Sequence, residues 1–225
     1  MDTPYSVTEV EEVSSTQDVA RAQFTSGTPA VVIARRQTGG RGRTGARWET
    51  APVAVAVSVA FTARWDPSRA PLVTLLAGVA AARVMGPEVR LKWPNDVLLE
   101  DSKVAGILVE LSDGVYVAGL GVNLWWPQPP PGWGSLYESS PEDSAGVALG
   151  TDWAAELLNL VAVGPDRWPR DEYRQRCATL GREIEWDPEG RGRAVGIAPD
   201  GALVVEAGDG TTTLASGAVR HVRVL

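Results

Sequence analysis

The sequence predicts an α+β protein in which helices flank a mixed, mainly antiparallel sheet and a small β-barrel follows at the C-terminus. Short apolar strands joined by two-residue turns fill residues 89–123, a pattern typical of an antiparallel meander. Apolar residues at helical spacing over 72–84 predict a long, alanine-rich helix that packs on the sheet. After Gly181 very short strands alternate with Asp-Gly turns, which favours a small barrel.

The N-terminal elements lead into a loop rich in arginine. Ser15 or Thr16 is expected to cap a helix that ends before Gly27. Residues 30–34 predict a short apolar strand, and residues 52–61 predict another. The arginine-rich segment between them therefore joins two strands.

The later elements have clear start and stop signals. Asp66 and Pro67 begin the long helix, and Gly86 followed by proline ends it. Beyond the meander the pattern predicts an irregular surface segment at 125–141. Two helices are then expected, at 151–163 and at 169–180. The change of pattern after residue 181 predicts two domains, 1–181 and 182–225.

Composition excludes several classes of protein. The 225 residues carry a formal net charge of −7, which argues against a nucleic-acid partner because phosphate binding usually needs a basic face. No apolar run reaches the ~20 residues of a membrane span, and the N-terminus does not resemble a signal peptide. We therefore expect a cytoplasmic protein with no membrane or nucleic-acid partner.

Single copies of cysteine and histidine limit the possible chemistry. Cys177 has no partner for an internal disulfide and is expected to be structural. His221 stands near the C-terminus, which argues against a His-rich metal site and a Ser-His-Asp triad. Catalysis must then rest on lysine, arginine and backbone groups.

Residues 35–47 contain five arginines, four glycines and no acidic residue, a local reversal of sign in an acidic chain. Glycine lets the backbone approach a ligand closely, and arginine offers a planar fork of donors suited to phosphate. At ~4 Å a charge pair is worth roughly 1 kcal/mol in water and about 4 kcal/mol near a protein surface. The segment predicts an anion-binding loop, with a solvated basic turn as the alternative.

The spacing Gly40-x-Gly42-x-x-Gly45 also matches the dinucleotide-binding fingerprint, and Asp66 lies about where a ribose-binding acid would stand. That fingerprint must open a helix, whereas the residues after Trp48 alternate as in a strand. No Gly-Lys-Ser/Thr follows, so a Walker phosphate loop is disfavoured. A nucleic-acid contact is disfavoured as well, because one basic loop releases few counterions.

Further motifs accompany the arginine loop in a fixed order. Ser15-Thr16 precedes it; Lys-Trp-Pro-Asn-Asp at 92–96, Lys-Val-Ala-Gly at 103–106, Gly-Leu-Gly-Val-Asn at 119–123 and the small barrel follow it. This ordered set, which covers nearly the whole chain, resembles the biotin protein ligase family. The resemblance implies a class II aminoacyl-tRNA synthetase-like (biotin-lipoate ligase) fold with an SH3-like C-terminal barrel.

The resemblance also implies a two-step reaction and the residues that perform it. Biotin and ATP would give biotinyl-5′-AMP and pyrophosphate, and the biotinyl group would then pass to a lysine of a biotin carboxyl carrier domain of a carboxylase. Because two anions meet in the first step, cations and fixed donors should supply most of the catalysis. The catalytic residues implied are Lys103, Arg41 and Arg43.

Binding roles follow from the same resemblance. Biotin contacts are implied for Ser15, Thr16, Gln37, Gly40, Arg41, Gly42, Lys103, Gly106, Gly119 and Gly121. ATP contacts are implied for Arg43, Trp48, Asn95, Asn123 and Arg223. Asp96 is implied as an indirect partner of Mg²⁺, which prefers one or two carboxylates together with water and phosphate. Gln17 stands where many relatives carry asparagine.

Three alternatives remain open beside the ligase. Lipoate-protein ligases and octanoyltransferases share the implied fold. Lipoate-protein ligases lack the arginine loop. Octanoyl transfer needs a nucleophilic cysteine, and Cys177 lies outside the motifs. A non-catalytic ligand-binding member is the third. Only a short segment precedes Ser15, so we expect no N-terminal DNA-binding domain. Exposed strand edges could pair with the carrier domain or form a homodimer.

Overall fold

The computed structural model describes residues 5–25, 27–43, 48–187, 190–208, 210–215 and 219–221, the last of these by backbone alone. The elements in chain order are β1 (Ser6–Val13), α1 (Thr16–Gln23), β2 (Ala30–Gln37), β3 (Val53–Thr62), α2 (Leu72–Met85), β4 (Arg90–Lys92), β5 (Asp96–Leu99), β6 (Ser102–Ser112), β7 (Val115–Trp125), α3 (Asp143–Val163), α4 (Arg170–Arg176), β8 (Glu183–Trp186), β9 (Gly190–Ile197), β10 (Leu203–Ala207), β11 (Gly210–Leu214) and β12 (Val219–His221).

Seven strands form the main sheet in the order β1-β2-β3-β7-β6-β5-β4. β1 and β2 are parallel, and the other neighbours are antiparallel. The predicted meander is confirmed, because β4 to β7 pair in succession. Asp113 and Gly114 join β6 to β7 with φ of 53° and 75°, as a tight two-residue hairpin turn requires.

The strand β1 was not predicted. It pairs with β2 only, lies at the sheet edge, and its side chains are mostly exposed or half-buried. Val7, Val10 and Val13 stand among threonine and glutamate, so the segment lacks the continuous apolar run that marks a buried strand. Pairing with β2, rather than intrinsic preference, defines this element.

Side chains alternate between the two faces of the sheet. Val59 and Phe61 of β3 belong to the large core cluster formed with α2 and α3. Ala60 of the same strand and Val117 of β7 pack with Ala20 of α1 on the opposite face. The part of this second face that α1 leaves open forms the wall of the cavity described below.

The helix α3 is longer than predicted. It begins at Asp143 instead of Thr151, although two glycines lie in its first half. A Cβ on Gly146 would stand 3.2 Å from Val55, and one on Gly150 would stand 3.3 Å from Ile33, so these glycines let the helix approach the sheet. Packing thus overrides weak helix propensity.

The same helix also bears on the expectation of no membrane-spanning segment. With 21 residues and a mean hydropathy of 1.2 over its best 18-residue window, α3 is long and apolar enough to span a membrane by those criteria. Trp153 and Leu157 are nevertheless fully buried in the core, where α3 packs on α2 and the sheet.

The helix α4 is shorter than predicted. It ends at Arg176 instead of Leu180 because Cys177 forms a bridge with Leu91, to whose carbonyl the Ala178 amide donates at 2.8 Å. Cys177 is buried, and desolvation raises the pKa of its thiol. A protonated, buried thiol suits the structural role expected for it.

An ion-pair network joins the helices α2, α3 and α4. Arg83 of α2 donates to Glu156 of α3 at 2.6 Å and to Glu172 of α4. The hydrogen bonds from Arg83 lower the pKa of the Glu172 carboxyl, and those from Glu172 and Glu156 raise the pKa of Arg83. The network fixes the orientation of the helices that back the main sheet.

The predicted C-terminal β unit is confirmed as a five-stranded antiparallel sheet, ordered β11-β10-β9-β8-β12. Its buried Ile184 and Leu203 belong to the same core cluster as the main sheet. The indole nitrogen of Trp93 donates to the Gly201 carbonyl at 3.0 Å. This sheet therefore packs directly against the segment 92–96, and the division into domains 1–181 and 182–225 stays a prediction.

Candidate active site

A cavity of about 460 Å³ opens on the sheet face beside α1. The arginine loop, the segment 92–96 and the strands β3, β6 and β7 surround it. Predicted site residues that line it are Ser15, Thr16, Gln37, Arg41, Gly42, Arg43, Trp48, Asn95, Asp96, Lys103, Gly106, Gly119 and Gly121. The fold thus brings together motifs that stand as much as 106 residues apart, from Ser15 to Gly121.

One region of the cavity is neutral and polar. Ser15, Thr16, Gln17 and Ser58 are four of the six buried polar side chains in the described part of the chain. The Gln37 side-chain carbonyl accepts hydrogen bonds from the Thr16 amide at 2.8 Å and the Thr16 hydroxyl at 3.0 Å. This places a cluster of buried hydrogen-bonding groups at the N-terminus of α1.

The hydrogens in this cluster can be assigned. Because Thr16 donates its hydroxyl hydrogen to Gln37, the 2.8 Å contact between Thr16 Oγ1 and Ser58 Oγ must have Ser58 as its donor. Both hydroxyls have then used their hydrogens and retain only lone pairs. They can accept hydrogen bonds from a ligand that carries N–H groups.

A second region of the cavity is charged. Lys103 Nζ pairs with Asp96 Oδ1 at 2.6 Å and lies 5.2 and 5.4 Å from the ring centroids of Trp48 and Trp133. The two indoles meet edge to face with centroids 5.5 Å apart. The ammonium group is thereby fixed by one carboxylate and two aromatic faces. Lys92 lines the cavity as well.

The arginine loop adds two further cations. Arg41 forms a bidentate pair with Asp18 at 2.7 and 2.9 Å and approaches Glu110 at 3.6 Å. Its hydrogen bonds lower the pKa of Asp18, and the pKa of Arg41 is raised in return. Arg43 donates to the side-chain oxygen of Asn95 at 3.2 Å.

Glycines set the shape of the cavity wall. A Cβ on Gly106 would stand 2.5 Å from the Trp48 ring, and one on Gly121 would stand 3.0 Å from it. A Cβ on Gly119 would stand 3.0 Å from the Gln17 amide nitrogen and 3.3 Å from Ser58 Oγ. Gly119 and Gly121 are therefore about 7 Å apart on one face of β7, at the neutral and the charged region respectively.

Two of the predicted residues that the structure describes do not line the cavity. Gly40 packs behind it, where a Cβ would stand 3.3 Å from both Gln37 and Trp48. Asn123 is fully buried, and its amide bonds the backbone of Ala51 and Gly134 at 3.3 and 3.2 Å, which ties the chain after the loop to β7. Its predicted ATP contact would need those bonds to change.

The predicted residue Arg223 lies outside the described residues, as do Gly45 and Arg47 of the loop. The roles assigned to the individual site residues stay predictions.

Sequence reasoning missed several lining or supporting residues. Ser58 is the sole polar residue within the apolar run 53–61, a signal that could have identified it. Trp133 lies in the segment predicted to be irregular surface. The backbone of Lys103 donates to the Gly132 carbonyl at 2.9 Å and accepts from the Gly134 amide at 3.0 Å, which holds Trp133 at the cavity. Asp18, the ion-pair partner of Arg41, was not identified from the sequence as a site residue.

The geometry defines a class of protein. On one face of the main sheet, a buried polar cluster that can bind a neutral head group lies beside cations that can bind anions. This arrangement is typical of an enzyme that activates a carboxylic acid with a nucleotide. Residues 10–124 match the biotin/lipoate A/B protein ligase family, and residues 180–222 match the biotin protein ligase C-terminal domain. The chain belongs to the biotin protein ligase family.

Relatives support this assignment. The biotin--[acetyl-CoA-carboxylase] ligase of Mycobacterium tuberculosis is 31% identical, over 95% of this chain and 88% of that protein. The bifunctional ligase/repressor BirA of Escherichia coli is 32% identical over 77% of this chain, which matches 60% of the BirA length. The biotin protein ligase of Aquifex aeolicus, solved in complex with biotin and ATP, shares the fold with a TM-score of 0.80 at 22% identity, over 97% of this chain and 99% of that one.

Proposed function

We propose that this chain is an ATP-dependent biotin protein ligase that forms biotinyl-5′-AMP and transfers the biotinyl group to a lysine of a biotin carboxyl carrier domain. The observation that carries the proposal is the polarity of the cavity. Thr16, Gln37 and Ser58 form a hydrogen-bonding cluster without formal charge, whereas Lys103, Arg41 and Arg43 bring three cations to the same cavity. Biotin has the matching polarity, with a neutral cyclic urea at one end and a carboxylate at the other.

The neutral region accounts for recognition of the ring. A cyclic urea carries two N–H donors and one carbonyl acceptor, and each must be hydrogen-bonded once buried, at a cost of about 1–3 kcal/mol for each group left unpaired. Thr16 and Ser58 offer lone pairs to N–H groups. The amide nitrogen of Gln37 can donate to the carbonyl, because its oxygen already accepts from Thr16.

The charged region accounts for the first chemical step. A carboxylate oxygen of biotin attacks the α-phosphorus of ATP, an acyl–phosphate bond forms, and the bond to pyrophosphate breaks with the electron pair leaving on pyrophosphate. Lys103 would stabilise the oxygens at this centre while Arg41 and Arg43 hold the phosphates and the biotin tail. The ion pairs of Lys103 with Asp96 and of Arg41 with Asp18 would exchange for ligand oxygens as the substrates bind.

Nucleotide binding is proposed for Trp48 and Asn95, with Mg²⁺ brought to the site. No group of three or more His, Cys, Asp or Glu side chains that could hold a metal occurs among the described residues. Asp96 fits a Mg²⁺ ion held mainly by phosphates and water. When bound, Mg²⁺ would offset the negative charge of the triphosphate.

The second step needs a protein acceptor. The amine of a carrier lysine would attack the biotinyl carbonyl, an amide bond would form and AMP would leave. The edge strand β1 of the main sheet could pair with the carrier domain of a biotin-dependent carboxylase or with a second copy of the chain. A homodimer and a cytoplasmic location remain predictions.

The alternatives fit the cavity less well. Octanoyl transfer needs a nucleophilic thiol, whereas Cys177 is buried against Leu91 and does not line the cavity. A lipoyl group has no N–H donors, so the remaining lone pairs of Thr16 and Ser58 would receive no hydrogen bond from it. The relatives named as biotin ligases favour biotin over lipoate.

The test is biotin-dependent exchange of labelled pyrophosphate into ATP in the presence of Mg²⁺. We expect exchange with biotin and none with lipoate, and a loss of roughly 10²–10³-fold in Lys103→Met, as for removal of one key charge donor at a transition state. Arg36→Ala is the matched control, because Arg36 belongs to the same arginine-rich segment but lies on β2, does not line the cavity and pairs with Glu12 on the exposed surface. Exchange with lipoate alone would refute the proposal.

A further inference from the structure

Trp93 is held at two points by residues that follow α4 in the chain. Its backbone amide donates to the Thr179 hydroxyl oxygen at 3.0 Å, and its indole nitrogen donates to the Gly201 carbonyl at 3.0 Å. Trp93 is 2% exposed and Thr179 is fully buried, so both bonds are shielded from water. A buried N–H that loses its acceptor is costly, and these bonds therefore constrain the position of Trp93.

The acceptor of the indole lies in a closely packed turn. Residues 198–202 connect β9 to β10. Gly201 has a φ of 87°, and a Cβ there would stand 2.7 Å from Leu75 and 2.9 Å from Leu72 of α2. The backbone of the turn thus packs against α2 while it accepts the hydrogen bond from Trp93. It offers a fixed point to which the indole is attached.

The residues that follow Trp93 belong to the charged side of the cavity. Asn95 exchanges two hydrogen bonds with Ile107 of β6, at 2.9 and 3.1 Å. Asp96 pairs with Lys103 at 2.6 Å. Because Trp93 stands only two and three residues before them, its position determines where the side chains of Asn95 and Asp96 enter the cavity.

We propose that Trp93 is a positioning residue for the nucleotide side of the site, and that the turn 198–202 holds it in place through the indole N–H. The proposal rests on the function proposed above, in which Asn95 and Asp96 meet ATP and its Mg²⁺. With the indole bond in place, the segment 92–96 is ordered before the nucleotide arrives. Without that bond, nucleotide binding must supply the order, and the affinity for ATP falls by the factor that one hydrogen bond is worth.

A matched pair of substitutions separates positioning from general stability. Trp168 also donates its indole N–H to this turn, to the Pro199 carbonyl at 2.8 Å, but it precedes α4 and does not line the cavity. Trp93→Phe and Trp168→Phe each remove one indole hydrogen bond to the same turn. Pyrophosphate exchange at saturating biotin measures the KM for ATP, and titration calorimetry measures the Kd for biotin.

We expect Trp93→Phe to raise the KM for ATP about fivefold, the value of one net hydrogen bond. The Kd for biotin should stay within about twofold, because the polar cluster of Thr16, Gln37 and Ser58 lies on α1, β2 and β3. Trp168→Phe should change neither quantity. An unchanged KM in Trp93→Phe, an equal rise in Trp168→Phe, or an equal rise in the Kd for biotin would overturn the positioning role.

Thr179 provides a second test if Trp93→Phe does not fold. Thr179→Val removes the oxygen that accepts from the Trp93 amide and should raise the KM for ATP in the same selective way. Thr179→Ser keeps that oxygen and should keep the KM of the unaltered chain. An unchanged KM in Thr179→Val, or an equal rise in both Thr179 variants, would overturn the proposal. Absence of biotin-dependent exchange in the unaltered chain would instead overturn the proposed function.

Discussion

Gly106→Ala tests how tightly the cavity wall holds Trp48. The added Cβ would stand 2.5 Å from Cζ3 of Trp48 and 3.2 Å from Cε of Lys103, whereas carbon atoms normally approach to about 3.5–4.0 Å. The indole must therefore move by roughly 1 Å, away from β6. It would lose its present contacts with the Lys103 ammonium group and with the edge of Trp133.

The cost can be derived from those two contacts. A cation–π contact at a partly exposed site is worth about 0.5–1 kcal/mol, and an aromatic pair about 0.5–1.5 kcal/mol. Their loss amounts to about 1–2.5 kcal/mol, which corresponds to roughly a 5- to 70-fold rise in the KM for ATP if the nucleotide binds against the ordered Trp48. The measurement is the KM for ATP in the exchange assay at saturating biotin.

Gly78→Ala serves as the control for this substitution. A Cβ there would stand 3.5 Å from Leu91 and 3.8 Å from Ile107, which are ordinary contacts within the core, and alanine suits a helix better than glycine. The KM for ATP should be unchanged. An unchanged KM in Gly106→Ala would refute the reasoning about Trp48.

Three further predictions concern charged groups. Arg43→Gly removes a cation from the loop and should raise the release of biotinyl-AMP to solvent about tenfold, measured by chromatography of the filtrate; a variant that retains its adenylate contradicts this. Asp18→Asn breaks the bidentate pair with Arg41 and should change the KM for biotin more than that for ATP, whereas equal changes would indicate a general loss of structure. Arg83 lowers the pKa of Glu172 below its ordinary 4.5, so the ion pair between them stabilises the fold above that pH and the stabilisation is lost as the pH falls. Glu172→Gln should therefore lower the free energy of unfolding by about 1 kcal/mol at pH 7 and have little effect near pH 3. Urea melts at the two pH values measure the difference.

Much of the fold could be predicted because its signals are local. The meander follows from short apolar runs separated by turns such as Asp113-Gly114, and the end of α2 follows from Gly86. The start of α3 and the end of α4 could not be predicted in the same way. They depend on the packing of Gly146 against β3 and on the bridge between Cys177 and Leu91, which are contacts between distant parts of the chain.

The site shows the same limit. The arginine loop and Lys103 were found because they belong to ordered motifs, and the structure places them at one cavity. The counter-ions Asp18 and Asp96, and the aromatic contact of Trp133, are set by tertiary geometry. Motif order identifies residues that line the cavity, but not all the neighbours that hold those residues in place.

The most direct test of the central claim is the intact mass of a purified biotin carboxyl carrier domain after incubation with this chain, ATP, Mg²⁺ and an equal mixture of biotin and lipoate. We predict a mass gain of one biotinyl group on the acceptor lysine, with no lipoyl product, and no gain with Lys103→Met over the same time. A carrier domain that stays unmodified, or that gains a lipoyl group instead, would contradict the assignment of this chain as a biotin protein ligase.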